Sequence, residues 1–196
     1  MKKNTILMKI TTSRIVLDHI DSEDIDLIHS YTYDFSNLNQ FFSSKIRSKI
    51  HWKKRFEENG IWDDSYGMLK IIDKEDNNLI GVIWFFKPYP DIQMNCYEIA
   101  FNIFNVQKRK KGFATEAVQL LTSYLFETYN IQRIQSNTVL DINDLAIKRT
   151  IEKIGYSYEG TLRKVFFNRG KYIDMHLFSI MKDESIPLKE QIELLS

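Results

Sequence analysis

Two hydrophobic periods alternate along the chain, and they divide it into elements. Arg14-Ile15-Val16-Leu17-Asp18-His19-Ile20 reads as a first strand. Asp21 or Ser22 then caps a helix carrying Ile25, Leu27, Ile28 and Tyr31. A second helical stretch, Ser44 to Glu58, stops at Asn59-Gly60; its apolar positions Ile46, Ile50, Trp52 and Phe56 keep the helical period only in part. The period then changes to that of strands. Tyr66 to Ile72 and Leu79 to Phe86 flank the polar turn Asp73 to Asn78 and predict a hairpin, which Pro88-Tyr89-Pro90-Asp91 ends. Tyr97 to Phe104 is the next strand, and it feeds a basic turn.

From Thr115 to Tyr129 a helix is predicted with Val118, Leu121 and Leu125 on one face. Arg133 to Leu140 is a strand in which Ile134, Ser136 and Thr138 alternate with Gln135, Asn137 and Val139. Asp141 or Asn143 caps a helix over Leu145–Lys153 that Gly155 closes. Tyr158–Phe167 and Tyr172–Met181 form a last strand pair around Asn168-Arg169-Gly170-Lys171, and the tail is polar, then weakly helical. This order predicts an α+β fold: one mixed, mostly antiparallel sheet of about seven strands flanked by about four helices.

Composition narrows the function. A length of 196 residues fits one domain over residues 1–196. Hydrophobic content of 43% against 27% charged residues is that of an ordinary soluble protein. The 27 basic and 26 acidic residues leave a net charge of +1, which weighs against a nucleic-acid partner. No apolar run is long enough to span a membrane, and the broken apolar start does not read as a signal peptide. The single cysteine, Cys96, excludes an intrachain disulfide, fits a reducing cytoplasmic setting and reads as a small buried hydrophobe. The four histidines are scattered, so no metal site is expected.

The chemistry centres on Gln107-Lys108-Arg109-Lys110-Lys111-Gly112-Phe113-Ala114-Thr115-Glu116-Ala117. It lies between a strand and a helix, where unpaired helix N–H groups and the helix dipole favour an anion. Gly112 permits close backbone approach and Ala114 keeps the first turn thin. The four consecutive cations Lys108 to Lys111 repel one another unless an anion or open solvent relieves them. The bland alternative is a helix start with solvated lysines. Neither a P-loop nor a Gly-x-Gly-x-x-Gly fingerprint is present.

Tyr97 to Phe104 followed by Arg109-x-x-Gly112-Phe113-Ala114-Thr115-Glu116-Ala117 resembles the acetyl-coenzyme A motif of the GNAT superfamily of N-acetyltransferases. Arg133-Ile134-Gln135, Asn143-x-x-Ala146, Glu152 to Tyr156, Glu159 to Arg163, Gly170-Lys171-Tyr172-x-Asp174 and the opening Thr12 to Leu17 extend the likeness over about residues 12–183. The ordered set is similar to the branch holding the ribosomal-protein N-terminal (Rim-type) acetyltransferases.

The resemblance implies the GNAT fold, with acetyl-CoA between the strand before the turn and the strand after the next helix. Backbone groups at Asn102, Ile103 and Phe104 would pair with the pantetheine arm. The turn Arg109, Lys110, Lys111, Gly112, Phe113, Ala114 and Thr115 would take the pyrophosphate, and Asn143 would meet the pantetheine chain. Direct attack of an amine on the thioester needs a base, for which Glu98 is the candidate against the bland reading of a water-exposed strand-end carboxylate. The usual proton-donor positions hold Ala146 and Ile151, so the general acid is unassigned, with Tyr156 or water as alternatives. The family's Pro and Tyr before the turn are replaced by Val106 and Lys108.

Phe35, Phe41, Phe42 and Tyr89 are the candidates for an acceptor wall, whereas Trp84 and Phe86 read as core. The resemblance points to a protein or peptide N-terminus as acceptor. The alternatives are a small amine such as an aminoglycoside, polyamine or amino sugar, with Asp18, Asp24, Asp26 and Asp34 as an acidic pocket, or a non-catalytic acetyl-CoA-binding module. Long exposed C-terminal strands allow a homodimer.

Overall fold

A computed structural model describes residues 9–34, 48–88, 95–139, 151–168 and 170–196. All seven predicted strands are present: β2 (Ile15–His19), β4 (Tyr66–Asp73), β5 (Asn78–Phe86), β6 (Cys96–Ile103), β7 (Arg133–Thr138), β8 (Ser157–Asn168) and β9 (Lys171–Met181). The sheet has nine strands because β1 (Ile10–Thr11) and β3 (Trp62–Asp63) add two residues each, too few to leave a period in the sequence. Its order is β1-β2-β4-β5-β6-β7-β9-β8, with β3 on β4. Every pairing is antiparallel except β6–β7, which a crossover helix joins.

That helix is α3 (Phe113–Thr128). The expected stripe Val118, Leu121 and Leu125 is buried on the sheet. Thr122 is buried as well, against Tyr156, and so is Ser123, on the side of α3 where the C-terminal helix Leu188–Leu195 packs. Ser123 Oγ donates to the Ile186 carbonyl at 2.7 Å, and Glu127 accepts from the Leu188 amide at 2.7 Å.

On the other face of the sheet lie α1 (Asp24–Tyr33) and α2 (Lys49–Asn59). Ile25, Ile28, Met68, Val82 and Phe104 form a second core there, with Trp52 and Phe56 half-buried against it. Nothing on α2 is fully buried, which accounts for its blurred helical period. Ser48 caps α2 by accepting from the His51 amide, and Gly60 ends it with a φ of 66°. The predicted start of α2 at Ser44 lies outside the described residues. The first helix takes neither Asp21 nor Ser22 as its cap. Its N-cap is Glu23, without a side-chain bond, and the Asp24 carboxylate instead accepts from the Asp21 amide at 2.8 Å. Of the helix predicted over Leu145–Lys153, only the helical residues 151–154 are described.

Close approach of β5 and β6 depends on Gly81. A Cβ there would stand 2.3 Å from the Asn102 carbonyl oxygen and 3.1 Å from the Ile103 Cα, both backbone atoms that cannot swing aside. Gly81→Ala is therefore expected to destabilise the fold by about 1–3 kcal/mol, read as a lowered midpoint in chemical denaturation. An unchanged midpoint would show that the two strands have slack.

Candidate functional site

The parallel pairing of β6 with β7 is short. It consists of Cys96↔Arg133, Tyr97↔Ile134 and Glu98↔Gln135, and it stops there. β6 continues along β5 as far as Ile103, and β7 continues along β9 as far as Thr138. Beyond Glu98 and Gln135, each strand therefore presents to the other an edge without ladder partners among the described residues. The Phe104 amide donates to the Ile80 carbonyl at 2.8 Å. Strand alternation then turns the amides of Ile103 and Phe101 the opposite way, toward this opening. Phe104 is committed elsewhere: its ring is buried and stacks on Tyr31 at 5.0 Å, and its carbonyl lies 3.4 Å from an Arg109 guanidinium nitrogen.

Glu98 sits at the closed end of the opening. It is half-buried rather than a water-exposed strand end. Gln135 Nε2 donates to its Oε2 at 3.0 Å, and the Asn137 side-chain amide also favours its charged form. Burial raises the Glu98 pKa above the usual carboxylate range, and these two amides only partly offset that. Gln135 and Asn137 share one face of β7 with the Glu98 side chain. Alternation in β7 separated these two residues from the apolar face, but nothing in the sequence tied them to Glu98, 37 residues away for Gln135.

The turn after β6 is shaped by two backbone positions in the left-handed region, Lys110 (φ 60°) and Gly112 (φ 87°). Gly112 is the N-cap of α3 and supplies no side-chain cap to the first amides, which in any helix lack intrahelical partners. The protein itself relieves two of the four cations. Lys108 Nζ lies 2.6 Å from Asp73, 3.1 Å from Asp76 and 3.6 Å from Glu75, all around the β4–β5 turn. Asp73, then Asp76, raise its pKa. Arg109 Nε donates to the Ile103 carbonyl at 2.9 Å and ties the turn to the end of β6. Lys110 and Lys111 remain exposed.

Arg14 holds the turn from the other side. Its Nη2 donates to the Lys111 carbonyl at 2.8 Å, its guanidinium covers the Phe113 ring at 4.6 Å, and its Nη1 is 3.4 Å from buried Glu116. The Thr12 hydroxyl also donates to Glu116. Phe113 and Thr115 are buried and Ala114 is half-buried, packed on the main core.

Other predicted residues fall in three groups. Asn143, Ala146, Phe35, Phe41, Phe42 and Tyr89 lie outside the described residues. Ile151 packs against the main core, and Tyr156 is buried there with its hydroxyl 2.9 Å from that of Thr122, which burial keeps protonated. Cys96 is buried, and burial raises its thiol pKa. Three of the four carboxylates offered as an acidic pocket are paired with lysines of the chain: Asp18 with Lys9 at 3.5 Å, Asp24 with Lys70 at 2.6 Å, and Asp26 with Lys53 at 3.3 Å and Lys49 at 3.4 Å. Among the described residues no cluster of His, Cys, Asp and Glu with metal-holding geometry is assembled, and no helix is long and apolar enough to cross a membrane.

The comparisons with known proteins agree with this geometry. The family model described as "Acetyltransferase (GNAT) domain" matches residues 14–157. An uncharacterized N-acetyltransferase of Bacillus subtilis, YnaD, is 27% identical over 177 residues, covering 90% of this chain and 99% of the relative. Two solved structures share the fold. Spermidine N-acetyltransferase from Vibrio cholerae, in complex with CoA and spermine, superposes with a TM-score of 0.73 at 20% identity, covering 88% of this chain and 98% of its own. Ribosomal-protein-S5-alanine acetyltransferase from Vibrio fischeri gives a TM-score of 0.73 at 16% identity, covering 92% of this chain and 100% of its own. With an open strand pair, an uncapped helix start and a matching family model over most of its length, the chain belongs to the GNAT family of acetyltransferases and is an acetyl-transferring enzyme.

Proposed function

We propose that this enzyme acetylates a primary amine at the N-terminus of a protein or peptide, as in the Rim-type branch, with Glu98 as the general base. The observation that carries the reading is the placement of a half-buried carboxylate of raised pKa where β6 and β7 part. The ribosomal-protein neighbour supports this acceptor class, and the spermidine neighbour supports the polyamine alternative. What favours a peptide is the state of the α1 carboxylates: Asp24 and Asp26 already balance lysines of this chain, so they offer a polycation little unspent charge.

The residues present fit acetyl-CoA, because an uncapped helix start beside two exposed lysines meets the needs of a pyrophosphate. When bound, acetyl-CoA supplies the acetyl group as an activated thioester. The amides of Gly112 to Thr115 would hold the pyrophosphate, Lys110 and Lys111 would add charge, and the amides of Phe101 and Ile103 would align the pantetheine arm. Glu98 would take a proton from the attacking amine. Asn143 would meet the pantetheine chain, and Phe35, Phe42 and Tyr89 would line the acceptor wall, as the resemblance implies.

A peptide with a free α-amine should be acetylated with higher kcat/KM than spermidine in a thiol-release assay; the reverse preference would transfer the assignment to small amines. Donor binding without turnover of any amine would revive the binding-module reading. Glu98→Gln should lower kcat by about a hundredfold or more and abolish the rise in rate with pH. Because the Glu98 pKa is raised in the folded protein, stability falls as pH rises through that value. The variant should therefore melt at or above the wild-type temperature at alkaline pH, and a lower melting temperature with unchanged rate would remove Glu98 from this role.

Lys108 should act by shaping the turn rather than by touching phosphate. Lys108→Met is expected to weaken CoA binding by about fivefold or more, with Lys108→Arg restoring part of it. Exchanging both Lys110 and Lys111 for Ala should weaken binding in a manner that added salt mimics. Calorimetric titration checks both, and equal salt sensitivity of the two effects would contradict the distinction.

A homodimer also has support. β8 is the terminal strand, and Tyr158, Val165, Phe167 and Tyr172 are exposed on the β8–β9 hairpin. Sedimentation velocity at micromolar concentration should show a dimer that Phe167→Ser with Tyr172→Ser dissociates; a wild-type monomer would refute it.

A further inference from the structure

We infer that Asn137 is the specificity-determining contact for the acceptor amine, selecting primary over secondary amines. This rests on the proposed acetyl transfer beside Glu98 but not on Glu98 acting as the base.

Asn137 is the first β7 residue on the Glu98 face beyond the last β6–β7 pair, so it stands at the mouth of the opening between the strands. Its backbone is held in the ladder opposite Leu177 of β9. Its side-chain amide stabilises the charged form of Glu98, and a carboxylate only accepts, so the amide nitrogen of Asn137 is the group turned to it. The other end of that amide, Oδ1, is buried and has no hydrogen-bond partner among the described residues. A buried acceptor without a donor is costly and is rarely left so without a reason. Here the acceptor shares its neighbourhood with a carboxylate, and the missing component is a donor.

A neutral primary amine supplies what this pair lacks. It carries two N–H bonds and one lone pair. With one N–H on Glu98 and the other on Asn137 Oδ1, the lone pair is left for the thioester carbon. In the step, the C–N bond forms, the acetyl C–S bond breaks, one N–H proton passes to Glu98 and the sulfur leaves as thiolate, which is protonated from water. A secondary amine has a single N–H. It satisfies Glu98 and leaves Asn137 Oδ1 unpaired, or the reverse. Gln135, donating to Glu98 from within the last pair, fixes the carboxylate so that the two acceptors keep their separation.

The test compares a peptide bearing a free α-amine with the same peptide N-methylated at that amine. Wild-type enzyme should prefer the free amine strongly. Asn137→Ala should reduce that preference by about tenfold and raise KM for the peptide, with KM for acetyl-CoA essentially unchanged. Without acetyl-CoA, the Glu98 carboxyl followed by carbon-13 NMR should titrate at higher pH in Asn137→Ala, because a donor to the charged form is lost. An unchanged primary-to-secondary ratio in Asn137→Ala overturns the inference. So does a wild-type enzyme indifferent to N-methylation, a result that stands even where the variant fails to fold. If Glu98→Gln keeps full activity while Asn137→Ala still alters the ratio, the base assignment falls and this inference remains.

Discussion

The site depends on where one strand pairing stops. Two parallel strands that stayed paired would present a closed sheet with no free edge in its interior. β6 and β7 pair for three residues and then each keeps only its outer neighbour. Unpaired backbone donors inside a domain are normally expensive, and here they become an unoccupied strand position with rigid walls. The last pair, Glu98 and Gln135, marks the floor of that position and holds an ionisable group half out of water. Ladder geometry thus sets both the shape of the opening and the electrostatics at its base.

The turn that follows β6 is held by parts distant in sequence. Lys108 leans on carboxylates of the β4–β5 turn, and Arg14 reaches from the start of β2 to Lys111 and Glu116. These contacts use up charge that would otherwise face a ligand. In exchange they fix backbone amides, whose direction matters more for gripping a phosphate group than the number of nearby lysines does. Lys110 and Lys111 supply the charge left over.

Much of this was legible in the sequence. Alternation and turn chemistry located all seven long strands, and Gly60 marked a helix end; α3 begins at Phe113 with Gly112 as its N-cap, two residues before the predicted Thr115. β1 and β3 were invisible because two residues carry no period. The basic run was misleading in one respect: sequence adjacency suggests four like charges in mutual repulsion, but Lys108 and Arg109 point to partners that only folding brings near. Glu98 could be singled out by its place in the motif. Its amide partners could not, because whether a β7 side chain meets a β6 side chain is decided by parallel register, which local patterning does not encode. The acidic residues near α1 show the same limit. Their number hinted at a pocket, while their pairing with Lys9, Lys49, Lys53 and Lys70 is a tertiary fact.

The bond from Arg14 to the Lys111 carbonyl joins residues 97 apart in the chain. A loop of that span is closed late, after its entropic cost has been met by other contacts. The turn therefore takes its final shape only when the first long strand and α3 have come together across most of the domain. A nascent chain that has not yet released α3 has the first strands but no formed turn. Donor affinity in this protein is, in that sense, a report on completed folding, and the donor in turn stabilises the whole assembly rather than one loop.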